Sequence, residues 1–178
     1  MPETVITEDL DEAVLAVERM GRCIAKPLYT SKARGMTQLE PGAKLREALT
    51  AYRAAGNPVL YLQKMIEIPG QDLGVSFLGG EYLATYARVR AGTGWSTSTA
   101  AGGKYARANP SQSVIDLAHR AQALFDLAFT CVDVVETADG PMVFEVSAFG
   151  GFRGLKEACD LDAADRYVSW VIEQVRHG

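Results

Sequence analysis

Two carboxylates, Asp133 and Glu145, lie twelve residues apart (145 − 133) within two apolar segments, 128–135 and 142–146. The connecting residues, 136–141, are rich in turn formers, which predicts an antiparallel hairpin with the two acids side by side. Adjacent carboxylates in apolar strands repel each other and lose hydration, so they favour a cation between them. A hard divalent metal ion that carries phosphate meets this need. The alternative is that both acids sit at solvated strand ends.

Lys26 lies in a short apolar segment, 23–28. A buried lysine needs an anionic partner, which is either a protein carboxylate or a phosphate oxygen, unless its ammonium group reaches water. The turn that follows, 30–35, is polar and basic and includes Ser31 and Arg34. Such a turn either closes over a polyphosphate or is a solvated hairpin tip.

Gln63, Lys64, Met65 and Ile66 end a nearly continuous apolar strand just before a turn. Backbone groups at a strand end suit the edge of an adenine ring, and Met65 and Ile66 supply apolar faces to it. The alternative is that the segment is simply part of the core. Asp72, just beyond the turn, is either an acceptor for ribose hydroxyls or a turn residue.

Further cations and a polar loop could hold an anionic ligand. Arg88 and Arg90 alternate along a predicted strand and so face the same side, where they either bind an anion or lie in water. Segment 95–104 is rich in Gly, Ser and Thr; it either wraps a ligand through its backbone N–H groups or is simply a low-complexity loop. A glycine-rich turn that contains Arg153 directly follows the strand of Glu145.

Composition limits the classes of protein to consider. The 178 residues are 48% hydrophobic and 22% charged, which fits one globular domain or two small lobes. The net charge of −4 and the lack of a basic stripe argue against nucleic acid as a partner. No signal peptide and no apolar run of about 20 residues is present, so we expect no membrane association and a cytoplasmic protein. Three cysteines and two histidines favour buried thiols over disulfides or a zinc site.

The elements that must position these residues follow from periodicity and turn chemistry. The order of helices and antiparallel hairpins predicts an α+β fold in two lobes, residues 1–62 and 63–178. The N-terminal helix is predicted to begin at a Thr7 cap and end at Gly21. The remaining predictions are strands at 23–28, 36–39 and 59–66, a hairpin of 73–78 and 82–90, a loop at 91–104, and helices at 44–55, from an Asn109 cap to 126, and at 162–175.

This order of elements resembles the ATP-grasp superfamily, in particular the RimK-type amino-acid ligases, over nearly the whole chain. Segments 131–134 and 144–147 are similar to the V-D and E-V-N strands of that family. The resemblance implies that Asp133, Glu145 and Ser147 bind Mg²⁺, with Mn²⁺ as a substitute, between two lobes that hold ATP. Segment 26–36 is also similar to a GAK-system ATP-grasp subgroup.

The remaining site residues are carried over from the same resemblance. Lys26, with Ser31 and Arg34 of the basic turn, is expected to contact phosphate. Residues 63–66 are similar to the V-Q-E-F-I hinge on adenine, and Asp72 falls where an acid meets ribose. The loop with Ser96 and Ser98 resembles a W-x-T-N…G-G segment. The residues expected to act on the transferred phosphate are Arg88 and Arg153.

The sequence departs from the family pattern at several of these positions. Ser147 stands where an asparagine is usual, Ser98 replaces the asparagine of the loop, and Lys64 replaces the hinge acid or amide. The chain also begins where the family's central lobe begins, so we expect an N-terminal domain or a protein partner to complete the acceptor site.

The function that the resemblance implies is ATP-dependent ligation of a carboxylate to an amine through an acyl phosphate. The expected substrates are a small-molecule acid and amine, such as amino acids or a peptide. The alternative is a non-catalytic or partner-dependent nucleotide-binding domain, which the departures from the pattern favour.

Overall fold

The computed structural model describes residues 1–31, 33–92, 97, 102–148 and 150–177. Within them the chain forms a mixed α+β fold with two antiparallel sheets and five helices. Two compact units make up the chain, Met1–Glu67 and Ile68–Gly178. The sequence predicts the boundary between the two lobes after Leu62, five residues nearer the N-terminus (67 − 62).

The first unit is a four-stranded antiparallel sheet with two helices. Its strands lie in the order β1-β4-β2-β3. One face of the sheet packs against both helices, and this core buries Val17 of the first helix, Leu49 of the second, and Leu60 and Leu62 of the sheet. The elements are β1 Thr4–Thr7, α1 Leu10–Met20, β2 Cys23–Lys26, β3 Thr37–Leu39, α2 Leu45–Ala54 and β4 Leu60–Lys64.

The second unit is a five-stranded antiparallel sheet in the order β7-β6-β5-β8-β9, with three helices. Alternation along each strand sends successive side chains to opposite faces. One face is apolar and buries Val75, Phe77 and Val132 against Val114 of α3. The elements are β5 Gln71–Leu78, β6 Glu81–Val89, β7 Lys104–Arg107, α3 Gln112–Gln122, β8 Phe129–Thr137, β9 Gly140–Ser147, α4 Phe152–Cys159 and α5 Ala163–His177.

The opposite face of this sheet carries Tyr86, whose ring lies between two glycines. A Cβ atom at Gly74 would stand 2.4 Å from Cζ of Tyr86, and a Cβ at Gly154 of α4 would stand 2.7 Å from the same atom. The Tyr86 hydroxyl lies 3.5 Å from Sγ of Cys131. Both glycines are therefore required for α4 to approach the sheet as closely as it does.

The starts of α1 and α3 differ from the sequence-based predictions. Asp9, rather than Thr7, caps α1, because its carboxylate accepts from the N–H groups of Asp11 (2.7 Å) and Glu12 (2.9 Å). Those backbone hydrogen bonds also lower the pKa of Asp9. Thr7 is the last residue of β1. The N-cap of α3 is Ser111 and not Asn109.

Three short elements were not anticipated from the sequence. β1 and β7 have four residues each, too few for alternation to identify them, and both are edge strands that depend on a neighbour. α4 begins within the segment that was predicted as a glycine-rich turn, and burial of Leu155 and Gly154 anchors it on the sheet.

The structure also bears on the predictions about membrane-spanning helices and cysteines. Among the described residues, no helix is both long and apolar enough to cross a bilayer. Cys23 and Cys131 are buried, Cys159 is half-buried, and all three are free thiols.

Candidate functional site

Asp133 and Glu145 are cross-strand partners in the antiparallel pair of β8 and β9. The predicted hairpin and the predicted pairing of the two acids are therefore confirmed. A β-bulge follows directly, between Asp133 and Val134. Bulges of this kind bend a strand and change the direction of neighbouring side chains. The side chain of Asp133 is 20% exposed, whereas Glu145 is exposed.

Arg88 joins Asp133 to a third carboxylate. Its terminal nitrogen lies 2.7 Å from Oδ2 of Asp133, and its Nε donates to Oδ2 of Asp72 at 3.0 Å. The terminal nitrogen that contacts Asp133 also donates to Oδ2 of Asp72. β5 pairs with both β6 and β8, placing Asp72 opposite Arg88 and Gly74 opposite Asp133. Since side chains two residues apart on a strand share a face, the three charged groups meet on one face of the sheet.

This cluster carries more negative than positive charge. The guanidinium of Arg88 contacts the carboxylates of Asp72 and Asp133, and Glu145 lies opposite Asp133 on the next strand, so these four groups, when fully ionised, have a net charge of −2 (−3 + 1). Burial raises the pKa of Asp133 to about 6; Arg88 opposes the rise, and Asp72 and Glu145 add to it. For Arg88, burial alone would lower the pKa, but Asp133 and Asp72 outweigh it and raise the pKa. An added cation would relieve the excess negative charge.

The predicted metal ligands share this face. Glu145 and Ser147 are two residues apart on β9, and Ser147 pairs with Cys131 as Glu145 pairs with Asp133. Hydroxyl and carboxylate oxygens are suitable ligands for Mg²⁺, which usually keeps several ligands from water and phosphate. In the described part of the chain, no group of three His, Cys, Asp or Glu side chains is preassembled around a metal position. A metal here would thus take its remaining ligands from water or a bound phosphate.

Asp72, the predicted ribose contact, is buried. It is 5% exposed, and its Oδ2 accepts a hydrogen bond from Arg88. Its other oxygen, Oδ1, is buried without a hydrogen-bond partner among the described residues. The contact that the structure records for this carboxylate is therefore with the arginine.

In the first unit, Lys26 is bound by the side chain of Gln63. Nζ of Lys26 donates to Oε1 of Gln63 at 2.5 Å, and Nε2 of Gln63 donates to Oγ1 of Thr4 at 3.1 Å. Lys26 also lies 6.0 Å from the centroid of the Tyr61 ring. The Gln63 amide is 3% exposed, so its neighbours fix its orientation. Gln63 is thus placed to orient the ammonium group of Lys26.

The predicted adenine segment has most of its donors engaged. The N–H of Lys64 donates to the carbonyl of Glu3, and the N–H of Met65 donates to that of Arg22, both at 2.8 Å. For the N–H of Ile66, no hydrogen bond is recorded within the described residues. Among the N–H groups of residues 64–66, that of Ile66 is therefore the one available to donate to a base edge.

The basic turn folds onto itself. Nε of Arg34 donates to the carbonyl of Ser31 at 3.3 Å, its terminal nitrogen donates to Oγ of Ser31 at 3.1 Å, and Thr30 Oγ1 donates to the Arg34 carbonyl at 2.7 Å. Ser31 and Arg34 are both exposed. Ser96 and Ser98, the two predicted ligand contacts in the loop, lie outside the described residues.

Arg153 lies in α4 rather than in a turn. Its Nε donates to Oε1 of Glu157 at 2.5 Å, a pairing of residues four apart on the helix, and its guanidinium lies 5.9 Å from the centroid of the Tyr105 ring. The side chain is 72% exposed. The structure does not record a contact between Arg153 and the Arg88 cluster.

Tyr86 is the residue of this face that sequence reasoning missed. It pairs with Gly74 across β5 and β6 and is 3% exposed. Gly74, an isolated glycine inside an apolar strand, was the available signal, because such a glycine indicates close approach by another group.

The fold is that of an ATP-grasp protein. The family model of the RimK-like ATP-grasp domain matches residues 1–171, so the chain belongs to the RimK-like ATP-grasp family. The resemblance noted from the sequence motifs is confirmed at this level.

Curated relatives of this chain are ligases. It is 23% identical over 181 residues to the tetrahydromethanopterin:alpha-L-glutamate ligase of Methanocaldococcus jannaschii, covering 98% of this chain and 62% of that protein. It is 27% identical over 178 residues to the probable alpha-L-glutamate ligase of Rhodopirellula baltica, covering 98% of this chain and 44% of that protein. The chain thus spans 44% to 62% of the length of these two relatives.

Solved structures of similar fold include an ATP-grasp ligase and a D-cycloserine synthetase. The ATP-grasp ligase PsnB, in complex with a minimal precursor, Mg and ADP, matches with a TM-score of 0.74 at 24% identity, covering 99% of this chain and 54% of PsnB. The D-cycloserine synthetase DcsG matches with a TM-score of 0.70 at 19% identity, covering 98% of this chain and 65% of DcsG. At these identities the likeness is one of fold.

Proposed function

We propose that this chain binds MgATP and supports ATP-dependent ligation of a carboxylate to an amine. The observation that carries the proposal is the cluster in which Asp133 faces Glu145 and shares Arg88 with Asp72. Its excess negative charge suits a divalent cation, while the guanidinium suits a phosphoryl or acyl phosphate group. Membership of a family whose curated members are ligases supports the same conclusion.

In this proposal, Asp133 and Glu145 hold Mg²⁺, and Ser147 adds a weaker hydroxyl ligand. The ion would neutralise charge on the phosphates, which favours attack on the γ-phosphorus. Arg88, held by two carboxylates, is preorganised to stabilise negative charge as it develops on the transferred group. Lys26, oriented by Gln63, contacts a phosphate oxygen, and residues 64–66 contact the base.

The reaction follows from these roles. A carboxylate oxygen of the acid substrate attacks the γ-phosphorus, the bond to ADP breaks, and an acyl phosphate forms. The amine then attacks the acyl carbon, phosphate leaves, and the amine gives up a proton. Positioning and charge neutralisation supply most of the rate, because no general base is evident among the predicted site residues. The classes of substrate we propose are an amino acid and an amine or peptide.

Calorimetry with ATP in the presence and absence of Mg²⁺ tests the binding part of this proposal. We expect saturable binding that Mg²⁺ strengthens. Failure to bind under both conditions would exclude it. Phosphate release with pools of acids and amines tests the ligase part. Binding without amine-dependent phosphate release would favour the alternative, a nucleotide-binding domain that is non-catalytic or depends on a partner.

A further inference from the structure

Helix α5 has two apolar faces: one packs on the sheet of its own unit, and the other is exposed. On the packed face, Ala163 is buried, and Tyr167 contacts the ring of Phe129 at a centroid distance of 6.1 Å. Trp170 stacks on Tyr167 and lies so close to Gly79 that a Cβ there would stand 2.4 Å from its Nε1. These contacts account for the attachment of α5 to the sheet.

The second face is an exposed stripe of aliphatic residues, which we call the α5 stripe. Val168, Val171, Ile172 and Val175 follow the i, i+3, i+4, i+7 spacing of a single helix face. Their exposed fractions are 56%, 39%, 46% and 79%. Four exposed aliphatic side chains in one row, rather than scattered singly, are typical of a surface that another helix covers.

Two opposite charges border the stripe on one flank. Asp165 lies at its N-terminal end and Arg176 at its C-terminal end, eleven residues apart (176 − 165), or about three turns at 3.6 residues per turn. Both residues are exposed, and neither takes part in an ion pair among the described residues. They are therefore available to a partner.

The order of these charges selects the orientation of the partner. In an antiparallel pair of identical helices, the same flank of each helix meets across a two-fold axis. The midpoint of Asp165 and Arg176, at Trp170 and Val171, lies one residue from the centre of the stripe, at Val171 and Ile172. In an antiparallel pair, Asp165 of one copy therefore comes within about two residues, or about 3 Å along the axis, of the level of Arg176 of the other, which an arginine side chain can span, and the reverse contact forms as well. A parallel pair would instead bring this flank against the opposite flank, where Gln174 carries no charge and Tyr167 packs against Phe129.

We infer that the α5 stripe is a self-association surface, in which α5 of one chain packs antiparallel against α5 of a second copy. The aliphatic row supplies the driving force, since it removes apolar surface from water on both copies. The two reciprocal ion pairs set register and direction, because exposed ion pairs add little affinity. This inference does not depend on the proposed ligase function.

Sedimentation velocity of the full 178-residue chain over a wide concentration range tests the inference at low ionic strength, where surface charges are least screened. We expect a monomer–dimer equilibrium. Ile172→Lys should abolish the dimer, and Asp165→Arg or Arg176→Asp alone should weaken it about tenfold, since each turns two attractions into two repulsions. Glu173→Arg, on the polar side of α5, is the matched control and should change nothing.

Mixing the two single charge variants is the decisive arm. Asp165→Arg and Arg176→Asp chains, each weakened alone, should form a mixed dimer with about the affinity of the unmodified chain, because both ion pairs are restored across the two-fold axis. A chain that stays monomeric at every concentration would overturn the inference, as would a dimer that Ile172→Lys leaves intact. A dimer whose mixed charge variants fail to recover would exclude the antiparallel arrangement. Unfolding curves for each variant separate loss of the dimer from loss of the fold.

Discussion

Asp133 lies directly opposite Glu145 in the antiparallel pair of β8 and β9, and it shares the guanidinium of Arg88 with Asp72. Two carboxylates that would repel each other in isolation are thus held together by the register of a hairpin. The neighbouring arginine compensates for only part of their charge, and this remaining charge is the basis of the predictions about metal and pH.

Replacing Glu145 with Gln should weaken Mg²⁺-dependent ATP binding while the fold survives. The variant keeps the size of the side chain but removes one anionic ligand, and the expected loss of Mg²⁺-dependent affinity is about tenfold or more. Calorimetric titration with ATP at several Mg²⁺ concentrations measures it. Glu136→Gln, which changes an exposed carboxylate on the partner strand, is the matched control. Equal Mg²⁺ dependence in the two variants would show that Glu145 is not a metal ligand.

Replacing Lys26 with Ala should weaken ATP binding, with a smaller effect on the Mg²⁺ dependence. The charge-assisted contact to phosphate is worth on the order of 1.5–3 kcal/mol. Gln63→Ala should reproduce part of this loss, because Gln63 accepts a hydrogen bond from Lys26. Lys44→Ala removes an exposed lysine of the same unit and serves as the control. If Lys26→Ala and Lys44→Ala bind ATP equally well, the phosphate role of Lys26 is excluded.

Asp72 can be tested for its two possible roles by comparing ATP with 2′-deoxy-ATP. Because its carboxylate is buried and bound to Arg88, we expect Asp72→Asn to weaken binding of both nucleotides by the same factor. If the carboxylate instead accepted a hydrogen bond from the ribose, the unmodified chain would bind ATP more tightly than 2′-deoxy-ATP. The variant would then bind both nucleotides with equal affinity. A ratio of the two affinities that falls to one in Asp72→Asn would support the ribose role that the family resemblance implied.

The raised pKa of Asp133 predicts a pH-dependent cost to stability in the absence of metal. Burial raises the pKa from 3.8 to about 6 in the folded state, so the folded state binds the proton more tightly than the unfolded state. The resulting stabilisation is present below pH 3.8 and is lost as pH rises through about 6. Above that pH, the ionised carboxylate contributes a net cost relative to its neutral form.

Asp133→Asn should therefore be more stable than the unmodified chain at pH 7.5 in EDTA, by roughly 1–3 kcal/mol, and close to it at pH 4. Denaturant unfolding at the two pH values measures this difference. Asp139→Asn, in the exposed turn of the same hairpin, is the control. A variant that is destabilised equally at both pH values would mean that the contact with Arg88, and not burial, governs this carboxylate.

Gly154→Ala should destabilise the second unit, although alanine usually favours a helix by about 0.5–1 kcal/mol over glycine. The added Cβ would stand 2.7 Å from the Tyr86 ring, and such overpacking typically costs about 1–3 kcal/mol. Gly151→Ser is the matched control at the N-cap of α4, where a Cβ meets nothing within 4 Å and serine is a preferred cap. Thermal unfolding of the two variants should change in opposite directions; a stabilised Gly154→Ala would contradict the packing of Tyr86.

Local features of the sequence were sufficient for the central hairpin. The pairing of Asp133 with Glu145 could be predicted because alternation along a strand has a period of two and the connecting turn is short. The same local logic located the α+β order and the strand of Lys26. It could not locate β1 or β7, since four residues offer too little periodicity and both strands are completed by a neighbour that is distant in sequence.

Only the tertiary structure decided which partners these side chains have. Arg88 meets Asp72 and Asp133 because three strands from separate parts of the chain lie side by side, and sequence patterns contain no information on such lateral order. Lys26 is bound by Gln63, 37 residues away, through the pairing of β2 with β4. Helix α4 forms in a glycine-rich segment because packing on Tyr86 outweighs local propensity. The residue types are thus set by the sequence, and the tertiary contacts determine which charges compensate one another and which remain for a ligand.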